Sequence, residues 1–494
     1  MSLPRFVPIL LNKSLHLAAA QNRPRLSVDP AWLLLGLSAG LAVATAFLVV
    51  TGNWQLMLGL LAALPAFVLL HRYPFFAVIL WLATSPFLAT TQTMAERQVY
   101  WVIHRALPPA TVGVVVLSTL VGLNPRKWPR LGWPEAAMAG YLVVSLYSIL
   151  TLNFDPLATT YHLYDRVFSP MCLYLVVRLS GAGARDLQLL MPVVFFLGVS
   201  QSVIGIVSWL APGVLPSTWR EMVGQRTTGS LTNPATYTTA LVFASFLLLQ
   251  TALSRKPGLV RTLYLAAFVL TSFCVFLSFS RGSWLGGALA ALGLIYLYPK
   301  FMARLGLVVV VVMLIGGGFL LTHFDWAMDW AGQRLYSEQS EESALSRLPI
   351  FLAAYRMFEA KPLWGWGYGN FDFYDRQFQG RVADLVNAAK DHASHNSYLT
   401  LLAEQGIIGF SLFLAPVLWW LGLTFRALPR MPTEEFWGRR LLLIFWLILL
   451  NQIVVNNFHN NKVVFALGLW WATLGLIANL AEAYLTPGEA QASA

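Results

Sequence analysis

Fourteen apolar runs of bilayer-spanning or near-spanning length follow one another along this chain, at roughly 31–51, 54–70, 74–90, 106–123, 133–152, 166–178, 186–210, 234–252, 262–280, 283–298, 305–323, 405–425, 441–457 and 463–482. A run of ~20 apolar residues that enters hydrocarbon is held to an α-helix, which satisfies its own backbone groups where water cannot. Composition agrees: 57% of the residues are hydrophobic and 11% charged, against about 25% charged in a soluble protein. Mean hydropathy is +0.63. The predicted fold is an all-α polytopic integral membrane protein with 12–14 transmembrane helices. The two weakest runs, 106–123 and 166–178, are short and carry Pro108-Pro109 and Ser169-Pro170 near their starts, and twelve spans remain without them.

Lys and Arg in the short loops set the orientation. With the N-terminus inside, 19 of the 33 basic residues collect on the inner side and 14 on the outer. Seven of those 14 lie in the long segment after the eleventh span, so the short loops compare 19 with 7. Both termini are therefore expected in the cytoplasm. The expected division is a cytoplasmic segment over 1–30, transmembrane helices over 31–323, an outer loop domain over 324–404, three further helices over 405–482 and a cytoplasmic tail over 483–494. No cleavable signal peptide is evident, and residues 6–20 read as a short amphipathic helix or as disorder. The net charge of +11 does not indicate nucleic acid, because the basic residues sit in short loops between apolar runs. Cys172 and Cys274 both lie inside apolar runs, so neither a disulfide nor a metal site is expected.

Seven basic residues remain in the outer short loops against the charge rule: Arg97, Arg105, Arg166, Arg220, Arg226, Arg281 and Lys462. Arg226 precedes Thr227, Thr228, Gly229 and Ser230 and the helix opening at Asn233-Pro234. Hydroxyls, a glycine and an arginine at a helix start suit phosphate oxygens; the plainer reading is a loop cap or a contact with lipid phosphate. Arg281, in Ser280-Arg281-Gly282-Ser283, stands at a hinge between two apolar runs. A cation so near hydrocarbon needs a partner or snorkels to the interface. Arg166 follows Asp165, which either neutralises it or leaves it to the same anion site.

His395 ends the long polar segment just before a helix start, with Ser394 or Asn396 as N-cap. The positive helix end favours the neutral imidazole that a general base requires. His392 reads as a surface residue. Glu404, nine residues on, is too far along a straight helix to touch His395 and is expected to pair with an arginine or a backbone group. Pro362-x-x-Gly365-x-Gly367 lies in an aromatic-glycine loop, read either as an interfacial loop or as a sugar-contacting surface.

Taken together, four motifs resemble the O-antigen ligase and polymerase superfamily. They are Arg226-x-x-Gly229 with Asn233-Pro234, Ser280-Arg281-Gly282, Pro362-x-x-Gly365-x-Gly367, and His395-Asn396-x-Tyr398-Leu399 with Glu404-x-Gly406. The resemblance covers roughly residues 200–480. It implies a C-type (GT-C-like) membrane glycosyltransferase with one large periplasmic loop, in a bacterial inner membrane. It implies a polyprenyl (undecaprenyl) diphosphate glycan donor, a glycan or lipid A-core-like acceptor, surrounding membrane lipids, and no nucleotide, metal or other cofactor. In that reading His395 is the base and Arg226, Arg281 and Arg166 hold the diphosphate, with Asn396, Tyr398, Glu404, Asn233 and Ser280 in support. The ligase branch is favoured over the polymerases of the same superfamily. A transporter of small anions or lipid-linked sugars is the alternative of a different class.

Overall fold

A computed structural model describes residues 65–88, 93–123, 131–220, 226–231, 233–323, 347–380, 396–433, 435–456 and 464–485, with a few further positions, most between 40 and 57. The two histidines 392 and 395, Ser394, Lys462 and residues 6–20 lie outside the described residues, as does most of the first two predicted spans. The chain divides into two units, Met1–Val68 and Leu69–Ala494. In the first, residues 42–47 are helical and the Thr51 hydroxyl donates to the Phe47 carbonyl at 2.9 Å.

The second unit is helical throughout its described residues. Its helices are α1 (Phe76–Thr84), α2 (Met94–Tyr100), α3 (Leu107–Leu120), α4 (Trp133–Leu152), α5 (Pro156–Leu163), α6 (Ser169–Ser180), α7 (Ala184–Leu210) and α8 (Pro234–Leu253). They continue as α9 (Leu259–Leu277), α10 (Arg281–Leu297), α11 (Pro299–Thr322), α12 (Arg347–Ala360), α13 (Phe371–Gln379), α14 (Ser397–Ala427), α15 (Arg439–Val455) and α16 (Phe465–Glu482). Seven described helical runs are long and apolar enough to cross a membrane: Met94–Leu120, α4, α7, α8, α9, Ser397–Arg430 and α16. An eighth is added when Pro65–Arg72 and Phe76–Leu88 count as one bent span. With 17 residues each, α10 and α15 are slightly shorter. Along α11 the apolar residues Leu307 to Ile315 are all exposed, as lipid contact requires. The chain is a polytopic membrane protein.

Helices α8 and α16 are almost wholly buried and form the centre. Around them α7, α9 and α15 pack on α8, while α6, α14 and α15 pack on α16. One end of the bundle is tied by a buried ion network. Arg178 of α6 meets Glu482 at 2.5 Å and Glu135 at 3.5 Å, donates to the Asn479 amide oxygen at 3.0 Å and lies over the Trp420 ring. Removing one member of such a buried network leaves uncompensated charge and costs ~3–5 kcal/mol.

The three prolines flagged in the sequence have a structural consequence. Pro108 and Pro109 have no N–H to return to the carbonyls of His104 and Arg105, and Pro170 has none for Arg166. At both places the backbone widens into a π-turn, Trp101–Ala106 and Tyr164–Phe168. The freed carbonyls find hydroxyls on the facing turn: Tyr164 donates to Arg105 at 2.6 Å and Ser169 donates to His104. Thus the short run at 166–178 is part of one unbroken helical run, α5 through α6.

A second, smaller apolar core forms where α12, α13 and the first turns of α14 meet. It contains Ile350, Ala354, Met357, Phe371 and Ala403, flanked by Trp366, Tyr374, Phe378 and Leu399.

Candidate functional site

The hinge carrying Arg281 is very tight. Phe279 takes a positive φ of 48°, and the Trp284 indole donates to the Phe276 carbonyl at 3.0 Å while stacking on the Phe276 ring. A non-glycine residue in that region costs ~1–2 kcal/mol, so the surrounding contacts must hold it. Ser283 supplies one of them, donating to the Ser280 hydroxyl at 2.8 Å and accepting from Thr238 of α8 at 2.5 Å. Ser280 is therefore part of a hydroxyl chain that fixes the start of α10.

The loop after Arg226 is bound to the same hinge. Thr227 donates to the Leu277 carbonyl at 3.0 Å. Ser230 donates to the Pro86 carbonyl at 2.8 Å and accepts from the Gln201 amide at 2.7 Å, and its N–H returns to the Gln201 oxygen at 3.1 Å. Asn233 caps α8 through Ala235 and Thr236. The hydroxyls expected to cradle phosphate are thus buried and engaged in holding the loop. Their work is positional, and it delivers Arg226 beside the segment that begins with Arg281.

From this hinge a line of contacts leads to the start of α14. Asn451 and Val455 of α15 leave no room for a side chain at Gly286 of α10. At the end of α15, the Asn456 carbonyl accepts from Ser397 at 3.1 Å and the Ile453 carbonyl accepts from the Tyr398 hydroxyl at 3.0 Å. Asn396 is the N-cap, accepting from Tyr398 and Leu399 N–H at 3.1 Å each. The three motifs therefore lie along one contiguous run of packed elements, ending at the residue next to His395.

Glu404 is buried and pairs with backbone, accepting from Phe371 N–H at 3.2 Å. Two residues later α14 breaks at Gly406, with φ 60° and ψ −163°. The loop over residues 362–367 fills that break. Ile407 and Ile408 donate to the Pro362 and Leu363 carbonyls at 2.8 and 3.3 Å. In exchange, the carbonyls they would have used, Ala403 and Glu404, accept from Trp366 and Gly367 N–H at 3.0 and 2.7 Å. A Cβ on Gly365 or Gly406 would run into the opposing backbone. The aromatic-glycine loop is therefore a clamp on α14. The end of α4 secures it, through Ser148 to Tyr368 N–H at 3.1 Å, Ser145 to the Gln405 amide at 2.7 Å, and Asn153 to Asn370 at 2.7 Å. Burial keeps the Tyr368 phenol protonated well above its ordinary range.

Arg166 belongs to a different polar cluster, one that sequence reasoning missed. Asp165 pairs with Arg105, whose Nε and Nη2 donate to the two carboxylate oxygens at 2.6 and 3.1 Å. The Arg105 guanidinium also lies 4.5 Å from the Tyr161 ring centroid and 5.2 Å from that of Tyr100. Buried His104 accepts from the Trp81 indole at 3.2 Å and lies 3.1 Å from the Asp165 carbonyl, so Nδ1 accepts and Nε2 carries the proton. Of the two readings of Asp165, neutralisation of Arg166 is set aside by Arg105. The available signal was the proline pairs, which mark where two helices need outside partners. Nearby His162 titrates below its ordinary range, first through desolvation and then through the Arg166 charge.

No group of three or more potential metal ligands occurs among the described residues. No curated protein matches the chain. Residues 266–414 match a family model described as O-antigen ligase. That stretch runs from α9 through the Arg281 hinge and the clamp into α14, and over it this membrane protein is similar to the O-antigen ligase family.

Proposed function

We propose that the protein transfers a glycan from a polyprenyl diphosphate to an acceptor hydroxyl, at the periplasmic face of a bacterial inner membrane. The observation that carries this reading is the joining of the Arg226 loop to the Arg281 hinge through Thr227 and Leu277, within a chain carrying the O-antigen ligase domain. His395 takes the proton of the acceptor hydroxyl. The hydroxyl oxygen then bonds to the anomeric carbon as the bond from that carbon to the diphosphate oxygen breaks. Negative charge leaves on the diphosphate, where two guanidinium forks suit its oxygens. The leaving group is already activated, so the step needs no nucleotide. The buried hydroxyls, the Asn233 and Asn396 caps and the clamp act by holding these side chains in place.

Purified protein incubated with a polyprenyl-diphosphate glycan and candidate acceptors tests this. Transfer to a different lipid acceptor is the expected, ligase-type outcome. Extension of the lipid-linked chain itself would assign a polymerase of the same superfamily. Donor and acceptor that bind and remain unchanged would exclude transfer.

A further inference from the structure

Arg166 is a half-buried cation whose side chain makes no hydrogen bond or ion pair with any other described residue. Its chain neighbour Asp165 makes no ion pair with it. Instead Arg105, 60 residues away in sequence, takes both Asp165 oxygens. Two facing π-turns, tied by Tyr164 and Ser169, fix this arrangement, and His104 holds the Asp165 carbonyl. Such turns weaken a helix and recur at functional sites. Tyr100, His162, Tyr368 and Glu404 lie within electrostatic reach of Arg166. The Glu404 side chain is already engaged by the Phe371 N–H. An arginine without an ion-pair partner among the described residues, held at such cost in local geometry, is a ready binder of phosphoryl oxygens.

We propose that Arg166 is the phosphoryl-binding residue of a second anion site, distinct from the Arg226–Arg281 pair, and that Arg105 keeps it available by sequestering Asp165. The phosphoryl group comes from the acceptor substrate or from a phospholipid headgroup. The acceptor arm rests on the transfer reading above; the binding itself does not.

The test is binding without turnover, so its failure is separable from failure of the transfer reading. Purified protein in neutral detergent is titrated calorimetrically with two probes, glucosamine 1-phosphate and dihexanoyl phosphatidylglycerol. Glucosamine and dihexanoyl phosphatidylcholine serve as controls. Wild type binds one of the phosphate-bearing probes, and Arg166→Gln weakens that binding about tenfold, the loss of one charge-assisted contact. Arg105→Gln releases the carboxylate beside Arg166 and weakens binding to a similar extent. The double variant Arg105→Gln/Asp165→Asn removes that carboxylate and restores binding. Preference for the sugar phosphate assigns the acceptor; preference for the phosphatidylglycerol assigns the headgroup. Equal binding by wild type and Arg166→Gln overturns the site. A double variant no better than Arg105→Gln overturns the sequestration, because a merely structural pair would suffer further from a second change. If the Arg105 variants do not yield monodisperse protein, Arg166→Gln and Arg166→Lys against wild type decide the site alone.

Discussion

Arginine and histidine substitutions separate positioning from chemistry at the scale of single residues. Replacing His395 by Ala should lower transfer by roughly 10²–10⁴-fold while donor binding persists, since a general base contributes about that much. Near-normal turnover by the purified variant would end its assignment as base. Arg281→Lys should stay impaired, because an ammonium cannot reproduce a planar fork on two phosphate oxygens; wild-type kinetics in that variant would remove Arg281 from the anion site. His162 reports on Arg166 independently. Its folded pKa is depressed, so its contribution to stability is present above the unfolded value of ~6.5 and is lost as pH falls through the folded one. Arg166→Gln should raise that folded pKa, which the pH midpoint of diethylpyrocarbonate modification of His162 would follow. An unmoved midpoint would mean that desolvation alone sets it.

At the scale of elements, the clamp is the least forgiving feature. Gly406 sits at φ 60° against the Pro362 and Leu363 backbone, so Gly406→Ala should destabilise the protein by ~2 kcal/mol or more through strain and clash together. A thermal midpoint equal to wild type would contradict that geometry. The Asn396 cap was legible in the sequence because capping is local: side chain and N–H groups lie within three residues. Glu404 was legible in part, since its distance from His395 along a helix ruled out contact and left backbone as one option. The clamp was not legible. Pro362-x-x-Gly365-x-Gly367 and Glu404-x-Gly406 stood as separate motifs, and nothing local says that one supplies the hydrogen bonds the other lacks. Asp165 was misleading for the same reason: its neighbour Arg166 is adjacent in sequence, whereas Arg105 is adjacent only after two helices pack.

At the scale of the whole molecule, apolar length was readable because the bilayer imposes it on every helix alike. The π-turns at 101–106 and 164–168 were visible only as weak spans, since a proline announces a break without saying what repairs it. Orientation is open to direct measurement. In a background with Cys172 and Cys274 replaced by Ser, Ser340→Cys should react with a membrane-impermeant maleimide in intact cells and Lys256→Cys should not. Reversed labelling would place the Arg226–Arg281 pair in the cytoplasm. Transfer should continue with ATP absent and EDTA present, and a strict requirement for either nucleotide or metal would exclude the proposed chemistry.

The exchange of backbone partners at Gly406 also sets a clock for biosynthesis. The loop at 362–367 is synthesised ~40 residues before the gap in α14 that it must fill, so for that interval the Pro362 and Leu363 carbonyls and the Trp366 and Gly367 N–H groups lack the partners they have in the folded protein. A released chain truncated shortly after Lys390 should therefore be cut by protease near Trp364, and one extended well past Phe410 should be protected there. The C-terminal helices thus complete a structure whose other half was synthesised earlier and held waiting, so truncating them would unmake a loop that they do not contain.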